Sequence, residues 1–267
     1  MTTFKLITWN INSVRLRIAQ VERLLEEQQP DVLCLQETKC PNDKFPENAF
    51  KKAGYPHVAK HGQKGYHGVA TVSRLPLQDS FSRDFCQMGD ARHLATDFKI
   101  GPGIRIHNFY VPAGGDEPDT EKNPKFDHKL KFLNEMKEWI SGEECNRPAI
   151  LVGDLNIAPY ESDVWSHKQL LKVVSHTPVE TDGLEEVRTK GNWIDTQRLL
   201  IPQPEELFTW WSYRSPNWQA SNRGRRLDHI WASHHLEGTI ARTKVLTHAR
   251  SWERPSDHAP VLTEFKF

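Results

Sequence analysis

Short apolar runs that end on acids and amides limit most strongly what this chain can fold into. Phe4 to Trp9 leads into Asn10, Val32 to Leu35 leads one residue on into Glu37, and Ala149 to Val152 leads into Asp154. Asp257 and His258 directly precede Ala259 to Leu262. Runs this short, bounded by polar or turn residues, read as buried strands. Ligands in layered α/β folds gather at strand ends, so segments far apart in sequence are expected to meet at one site. Any one of these residues alone reads as a solvated loop acid or a turn-forming Asn. Together, Asn10, Asn12, Glu37, Asp154, Asn156, Asp257 and His258 supply acids, amides and one imidazole, with no nucleophilic Cys or Ser. That is the inventory of metal-assisted hydrolysis, in which a hard cation held by oxygens activates water and neutralises a phosphate.

Helical periodicity is clearest from Val14 to Gln29, with Val14, Ile18, Val21 and Leu25 on one face, Ser13 as N-cap and Pro30 as a stop. A second helix is expected from about Asp127 to Ser141, with Gly142 ending it. Further strands are expected over Gly68 to Ser73, Leu94 to Ile100, Ile104 to Val111, Phe208 to Tyr213, Leu227 to Ala232, Thr239 to Leu246 and Ala259 to Phe265. Strands paired directly with strands outnumber strand-helix alternations. The fold class is therefore α/β of the α+β type, two mostly antiparallel sheets packed face to face with helices outside. A strand-helix-strand order with an acidic end recurs loosely in the two halves. No Pro-, Gly- or Ser-rich linker interrupts the chain, so residues 1–267 read as a single domain.

The 267 residues carry a formal net charge of zero, so no global basic excess announces a polyanion. Distribution says more, because Phe208 to Arg254 holds eight Arg or Lys against three acids, and a local field is what a polyanion meets first. Cys34, Cys40, Cys86 and Cys145 show no C-x-x-C spacing, and no secretory signal or membrane span is visible. A reducing cytoplasm is the expected location. Cys34, inside Val32-Leu33-Cys34-Leu35, reads as a small buried hydrophobe.

Seven segments carry a family resemblance: Thr8-Trp9-Asn10-Ile11-Asn12, Leu35-Gln36-Glu37-Thr38-Lys39, Gly65-Tyr66-His67-Gly68-Val69, Asn108-Phe109-Tyr110-Val111-Pro112, Gly153-Asp154-Leu155-Asn156, Arg226-Leu227-Asp228-His229 and Ser256-Asp257-His258-Ala259-Pro260. In this order they resemble the exonuclease III branch of the apurinic/apyrimidinic endonucleases, within the endonuclease/exonuclease/phosphatase superfamily. The resemblance covers essentially the whole chain. It implies a DNase I-like four-layer sandwich and a DNA-repair phosphodiesterase that cuts 5′ to abasic sites and trims 3′ ends of duplex DNA, leaving 3′-hydroxyls. It also implies Mg²⁺ with Mn²⁺ as substitute, a monomer, and neither an obligate protein partner nor a membrane.

By the same resemblance Glu37 is the principal metal ligand, helped by Asn10, Asn12 and Asp257, with Asp154, Asn156 and His258 close to the ion. A carboxylate suits Mg²⁺, which keeps most of its waters and needs only one or two protein carboxylates. Asp154 is expected to activate the attacking water and Asn156 to donate to the phosphoryl oxygen. Asp228 is implied to orient His258, whose protonated form suits an anion. Tyr110 is implied to lie at the phosphate, as a donor or, ionised, as a base. Most other histidines, such as His234 and His235, are expected at the surface.

Phe208, Trp210, Trp211, Tyr213, Trp218 and Trp231 interleave with Arg214, Arg223, Arg225 and Arg226, a pattern that fits nucleic-acid stacking, with half of the aromatics expected in the core. The resemblance implies that Trp210 and Leu227 wall a narrow pocket for a flipped-out baseless sugar, and that Lys39, Tyr66 and Arg92 lie near the DNA backbone. Arg225 departs from the family, whose members often place a bulky apolar residue there. With Arg223 and Arg226 it is expected to form a basic strip that reaches a phosphate. Two rivals are a phosphatase acting on inositol or lipid phosphates, disfavoured by the RLD and QETK segments, and a non-catalytic DNA-binding relative. The latter should have lost one of Glu37, Asp154, Asp228 or His258, and all are present.

Overall fold

The computed structural model describes residues 2–142, 146–215 and 217–267; Cys145 lies outside them. Its strands are Thr3–Asn10 (β1), Val32–Gln36 (β2), His57–His61 (β3), Val69–Ser73 (β4), Leu77–Phe81 (β5), His93–Phe98 (β6), Ile104–Tyr110 (β7), Ala149–Asp154 (β8), Trp193–Asp195 (β9), Trp210–Trp211 (β10), Gly224–Arg225 (β11), Asp228–Ser233 (β12), Ile240–Val245 (β13) and Val261–Lys266 (β14). The α-helices are Ile18–Gln28 (α1), Glu47–Lys52 (α2), Pro124–Ile140 (α3), His167–Leu170 (α4), Pro178–Lys190 (α5), Thr196–Leu200 (α6) and Trp218–Ser221 (α7).

Two six-stranded sheets form, in the orders β13-β14-β1-β2-β4-β3 and β5-β6-β7-β8-β12-β9, with β10 and β11 as a separate small ribbon. Each large sheet has one parallel pair, β1 with β2 and β7 with β8; its other pairs are antiparallel. Both parallel pairs enclose a crossover that contains a helix, α1 in one and α3 in the other, as parallel pairing requires. The loose strand-helix-strand recurrence in the sequence is thus a structural one.

Strand alternation explains where the site falls. Side chains two apart share a face, and the core between the sheets takes Phe4 and Leu6, Val32 and Cys34, Ile104 and Ile106, Ile150 and Val152, and Ile230 and Ala232. Continuing each series by two at one end of the sandwich reaches Thr8 and Asn10, Gln36, Asn108 and Tyr110, Asp154, and Asp228. The dry core therefore turns polar at one edge, on five strands at once. Register keeps these ends level, with Asn10 opposite Gln36 and Asp154 flanked by Tyr110 and Asp228. Just below them Gln36 Nε2 donates to Asn108 Oδ1 at 2.7 Å, and Asn108 Nδ2 donates to the Leu35 and Ala70 carbonyls. This buried amide pair pins one sheet to the other under the site. The outer faces are covered by α1 and α2 on one side and by α3 and α5 on the other.

Several sequence expectations shift. The first helix starts at Ile18 and not Val14, because the Ile11, Ser13 and Val14 N–H groups donate to the carbonyls of Gln36, Glu37 and Thr38. Ser13, at φ 86°, caps nothing. The second helix begins earlier than Asp127, at Pro124, where Asn123 accepts from the Lys125 N–H. Helix α5, with its Thr177 and Glu180 capping box, and strands β3, β5 and β9 were not anticipated. The strand expected over Phe208 to Tyr213 shrinks to two residues. Cys34 is fully buried, which pushes its thiol up to about 12.

Histidines depart most from expectation. His234 and His235 are exposed, but His93, His107, His176 and His229 are buried. His93 Nδ1 accepts the Arg83 N–H at 3.0 Å, which leaves its Nε2 to donate to His107 Nδ1 at 3.1 Å. A second proton would have to sit on the nitrogen that already faces a donor. Burial, and then His107, hold His93 well below the usual histidine range.

Two predictions follow from this packing. Gly153 sits at φ 138°, and a Cβ there would lie 1.9 Å from the Phe109 carbonyl oxygen on the paired strand. Gly153→Ala should therefore destabilise by about 3 kcal/mol or more, read by urea unfolding; a loss within error would refute the close approach. For His93 the folded value lies below the unfolded one, so the unfolded chain binds the extra proton as pH falls. Its contribution is complete above about pH 6.5 and is lost progressively as pH falls below it. Unfolding free energies measured across that range should fall, and His93→Gln should shrink the fall.

Candidate active site

At the polar edge of the sandwich the expected residues come together. His258, in the segment leading into β14, places Nδ1 2.8 Å from Asp228 Oδ2 and Nε2 3.8 Å from Asp154 Oδ2. Asp228 Oδ2 also accepts the Thr209 hydroxyl at 2.6 Å, and Thr209 Oγ1 in turn accepts the Leu227 and Asp228 N–H groups. The backbone of His258 is held too, since Trp9 Nε1 donates to its carbonyl. Burial disfavours a charged imidazole, but Asp228 and then Asp154 outweigh it and raise His258 to about 10. It is an imidazolium at neutral pH.

Asn10 joins the other carboxylates. Its Nδ2 donates to Glu37 Oε1 at 2.9 Å and to Asp154 Oδ2 at 2.8 Å, while its Oδ1 accepts the Asn12 N–H. The amide thus turns its hydrogens, and not its oxygen, toward the acids. Lys39 Nζ lies 2.8 Å from Glu37 Oε2 and 2.6 Å from Asn12 Oδ1, and Asn12 Nδ2 donates to Asp257 Oδ1. The other Asp257 oxygen accepts Trp210 Nε1 at 2.9 Å. Burial opposes ionisation of Glu37, but Lys39 and Asn10 together hold it below its usual value. Burial likewise opposes ionisation of Asp257, and His258, Trp210 and Asn12 hold it low. Backbone strain gathers here as well: Asn12, Glu37, Lys39, His67 and Asn156 all have positive φ.

Asp154 behaves differently. Burial, aided by the neighbouring negative charge of Asp228 and Glu37, raises it to about 7 despite His258 and Asn10. That is where a general base is most effective near neutral pH. Asn156 does not continue the strand beside it. At φ 54° it folds back, its N–H donating to Asp154 Oδ1 and its Nδ2 to Asp154 Oδ2 and the Val111 carbonyl. The Asx-turn is real, and it serves to orient the acid.

Tyr110 is buried, and burial together with Glu37 and Asp154 raises its phenol well above the usual value, which leaves it a hydrogen-bond donor and not a base. Arg92 lies over its ring at 5.0 Å and is itself held by Asp90 at 2.9 Å and His67 at 2.8 Å, so it supports Tyr110 and is not free. Tyr66 is 70% exposed on the rim. Lys39 faces Glu37 and not open solvent.

A cleft of about 910 Å³ opens over these groups, with Glu37, Asn156, Asp257 and His258 at its base and Trp210, Leu227 and Arg225 in its walls. Arg225 is not a free cation. Its Nη1 donates to the Val174 carbonyl at 3.0 Å and to Ser175 Oγ at 2.7 Å, and its guanidinium lies 5.3 Å from the Trp210 ring. Arg226 turns inward, fully buried, onto Asp163 and Asp195. The expected strip therefore loses Arg226 to the interior and Arg225 to the cleft wall, while Arg223 sits over Trp165. Of the six clustered aromatics, Phe208, Trp211 and Trp231 are buried. Thr209, Asp163 and Asp90 escaped the sequence reading, because a Thr or Asp with no motif around it gives no signal.

The donor set suits a hard divalent cation. Glu37 Oε2 and Asn12 Oδ1 already converge on one positive charge, the Lys39 ammonium, and Asp257 is linked to Asn12. Asp154, Asp228 and His258 form a second cluster, with one ligand atom from each within 4.8 Å of the others. There the imidazolium fills the gap between the acids.

Residues 7–258 match the endonuclease/exonuclease/phosphatase family. The chain is 32% identical over 278 residues to the Exodeoxyribonuclease III of Haemophilus influenzae, covering 98% of this chain and all of that one. Its fold superposes on an AP endonuclease from Archaeoglobus fulgidus with a TM-score of 0.91, at 31% identity over 99% of this chain and all of the other. It superposes on a Neisseria 3′ phosphatase bound to product DNA hairpin with a TM-score of 0.90, at 32% identity and the same coverage.

Proposed function

The chain belongs to the endonuclease/exonuclease/phosphatase family, and from that premise we propose that it is a DNA-repair nuclease that hydrolyses the backbone 5′ to abasic sites and clears nucleotides and blocking phosphates from 3′ ends of duplex DNA. It is a nuclease of a metal-dependent family whose solved relatives include one bound to DNA. The observation that carries the reading is the grouping of His258, Asp228, Asp154, Asn10 and Glu37 at the base of a cleft walled by Trp210, Leu227 and Arg225. We read residues 1–267 as one catalytic domain, because β1 and β14 pair within one sheet and Asn10 and His258 meet at one site, and we take it to act as a monomer, as the family resemblance implies. Among the described residues no helix is long and apolar enough to cross a membrane. A reducing cytoplasm accords with Cys34, Cys40 and Cys86, which are all free.

In this mechanism the DNA phosphate enters the cleft and meets the His258 imidazolium, which is aimed by Asp228 and balances charge on the non-bridging oxygens. Tyr110 donates a hydrogen bond to the phosphate. Asp154, poised near neutrality and oriented by Asn156 and Asn10, takes the proton of the attacking water. The Asn156 amide is placed to pass from Asp154 to a phosphoryl oxygen as charge develops there. Glu37, with Asn12 and Asp257, would hold Mg²⁺, or Mn²⁺ in its place, which when bound supplies Lewis-acid neutralisation of the phosphate and leaving oxygen. Asn10 acts as the bridge that keeps Glu37 and Asp154 together. Trp210 and Leu227 exclude water from the sugar and reject a full nucleotide by size.

Cleavage of a duplex carrying one abasic site, with and without a chelator, tests the assignment directly. The intact enzyme should cut only when divalent metal is present. Asp154→Asn should retain duplex binding but lose about 10²-fold to 10⁴-fold in rate; near-normal turnover would remove Asp154 from the mechanism. Hydrolysis of inositol phosphates without cleavage of abasic DNA would favour the phosphatase alternative.

Arg225 supports a second prediction. Because its guanidinium is committed to the Val174–Ser175 wall and Trp210, Arg225→Ala should change the ratio of abasic cleavage to 3′-end digestion by about tenfold. The salt dependence of duplex binding should stay the same. A slope lowered by about one unit, with the ratio unchanged, would instead establish a DNA phosphate contact.

A further inference from the structure

Under the loop that carries Asp154 and Asn156 lies a lysine for which the reaction has no direct use. Lys129, on α3, is fully buried, and so is Glu180 in the first turn of α5. Lys129 Nζ lies 2.5 Å from Glu180 Oε1, 2.8 Å from the Asn156 carbonyl and 3.3 Å from the Ala113 carbonyl. An ammonium has three hydrogens to donate, and here each meets an acceptor on a different segment. Glu180 extends the connection, since its carboxylate accepts from the Ser175 N–H at 2.9 Å, the Thr177 N–H at 3.1 Å and the Thr177 hydroxyl at 2.7 Å. The Ala113 segment also packs on the lysine stem, where a Cβ on Gly114 would come within 2.8 Å of Lys129 Cδ.

The segments held this way are the ones that shape the cleft. Ala113, Asn156 and Ser175 all line it, and Ser175 is also the anchor of Arg225. Stability alone does not explain the pair, because a buried ion pair is commonly no more stabilising than apolar residues of similar volume. What it gives is direction: three fixed acceptors around one ammonium allow a single relative placement of three loops.

We propose that Lys129 and Glu180 are positioning residues for the hydrolysis. Lys129 fixes the Asn156 carbonyl, and through that turn the aim of Asp154, while Glu180 registers the pocket wall at Ser175 against it. The inference rests on the reading of Asp154 and Asn156 as part of the reaction centre. Neither residue reaches the cleft itself, so the pair acts on turnover and not on DNA affinity.

The test is a double-mutant cycle on an abasic duplex. Removing one partner would strand a buried charge and unfold the chain, so the pair is changed together, as Lys129→Met with Glu180→Gln. That variant should lose about 30-fold in kcat, within the range that small misplacements cost, with KM within about twofold. In an Asp154→Asn background the same change should cost less than about threefold more, because residues acting through one another are non-additive. A full additional loss, or a loss confined to KM, would overturn the proposal. If Asp154→Asn by itself leaves kcat intact, it is the assignment of the reaction centre that fails. Should the paired variant not fold, Thr177→Val loosens Glu180 without exposing a charge. Its smaller drop in kcat should vanish when Asp154 is already Asn, and a drop that persists there would likewise overturn the proposal.

Discussion

Crowded negative charge is the constraint around which this structure is arranged. Glu37, Asp154, Asp228 and Asp257 meet at the edge of a dry core, where mutual repulsion is weakly screened. They coexist because positive charge and hydrogen-bond donors are built in between them. His258 stands between Asp228 and Asp154, Lys39 against Glu37, and Asn10 and Asn12 donate into the gaps. Burial and the neighbouring acids outweigh the donors around Asp154 and push it up toward neutrality. The same imbalance that makes it a base leaves the site short of positive charge, which a bound divalent cation would supply.

Much of this was legible in the sequence. The apolar runs ending on Asn10, Glu37 and Asp154 located the strand ends, and strand alternation carries them to one edge. The recognisable segments then coincide with the residues the fold brings together. What stayed hidden depends on side chains that carry no pattern. Thr209 behind Asp228, and Gln36 with Asn108 between the sheets, look like any strand Thr, Gln or Asn until the sheets are stacked. The start of α1 was misplaced for a related reason, since Val14 has the right spacing for a helix but its N–H is taken by the neighbouring strand extension. Periodicity records where apolar side chains point and nothing of where backbone hydrogens are committed.

The arginines show the same limit with charge. Arg223, Arg225 and Arg226 stand almost side by side in sequence and resemble a basic strip. In the fold, Arg226 becomes a buried strut between Asp163 and Asp195, and Arg225 a clamp on the cleft wall. Burying Arg226 is affordable only because two carboxylates receive it, and neither Asp163 nor Asp195 is near it in sequence. A count of charges along the chain overstates what is left to meet a polyanion.

The pairing of β1 with β14 has a consequence for how the protein comes into being. β1 borders β14, more than 250 residues away in sequence, and the imidazole of His258 lies just ahead of β14. Contacts of such sequence separation are slow to form, because the entropy of closing a long loop must be overcome first. Until β14 is paired, β13 is not joined to β1 and the imidazole is not fixed at the site. Completion of the catalytic centre is thus tied to that one long-range pairing, which brings Asn10 at the end of β1 beside the segment that carries His258.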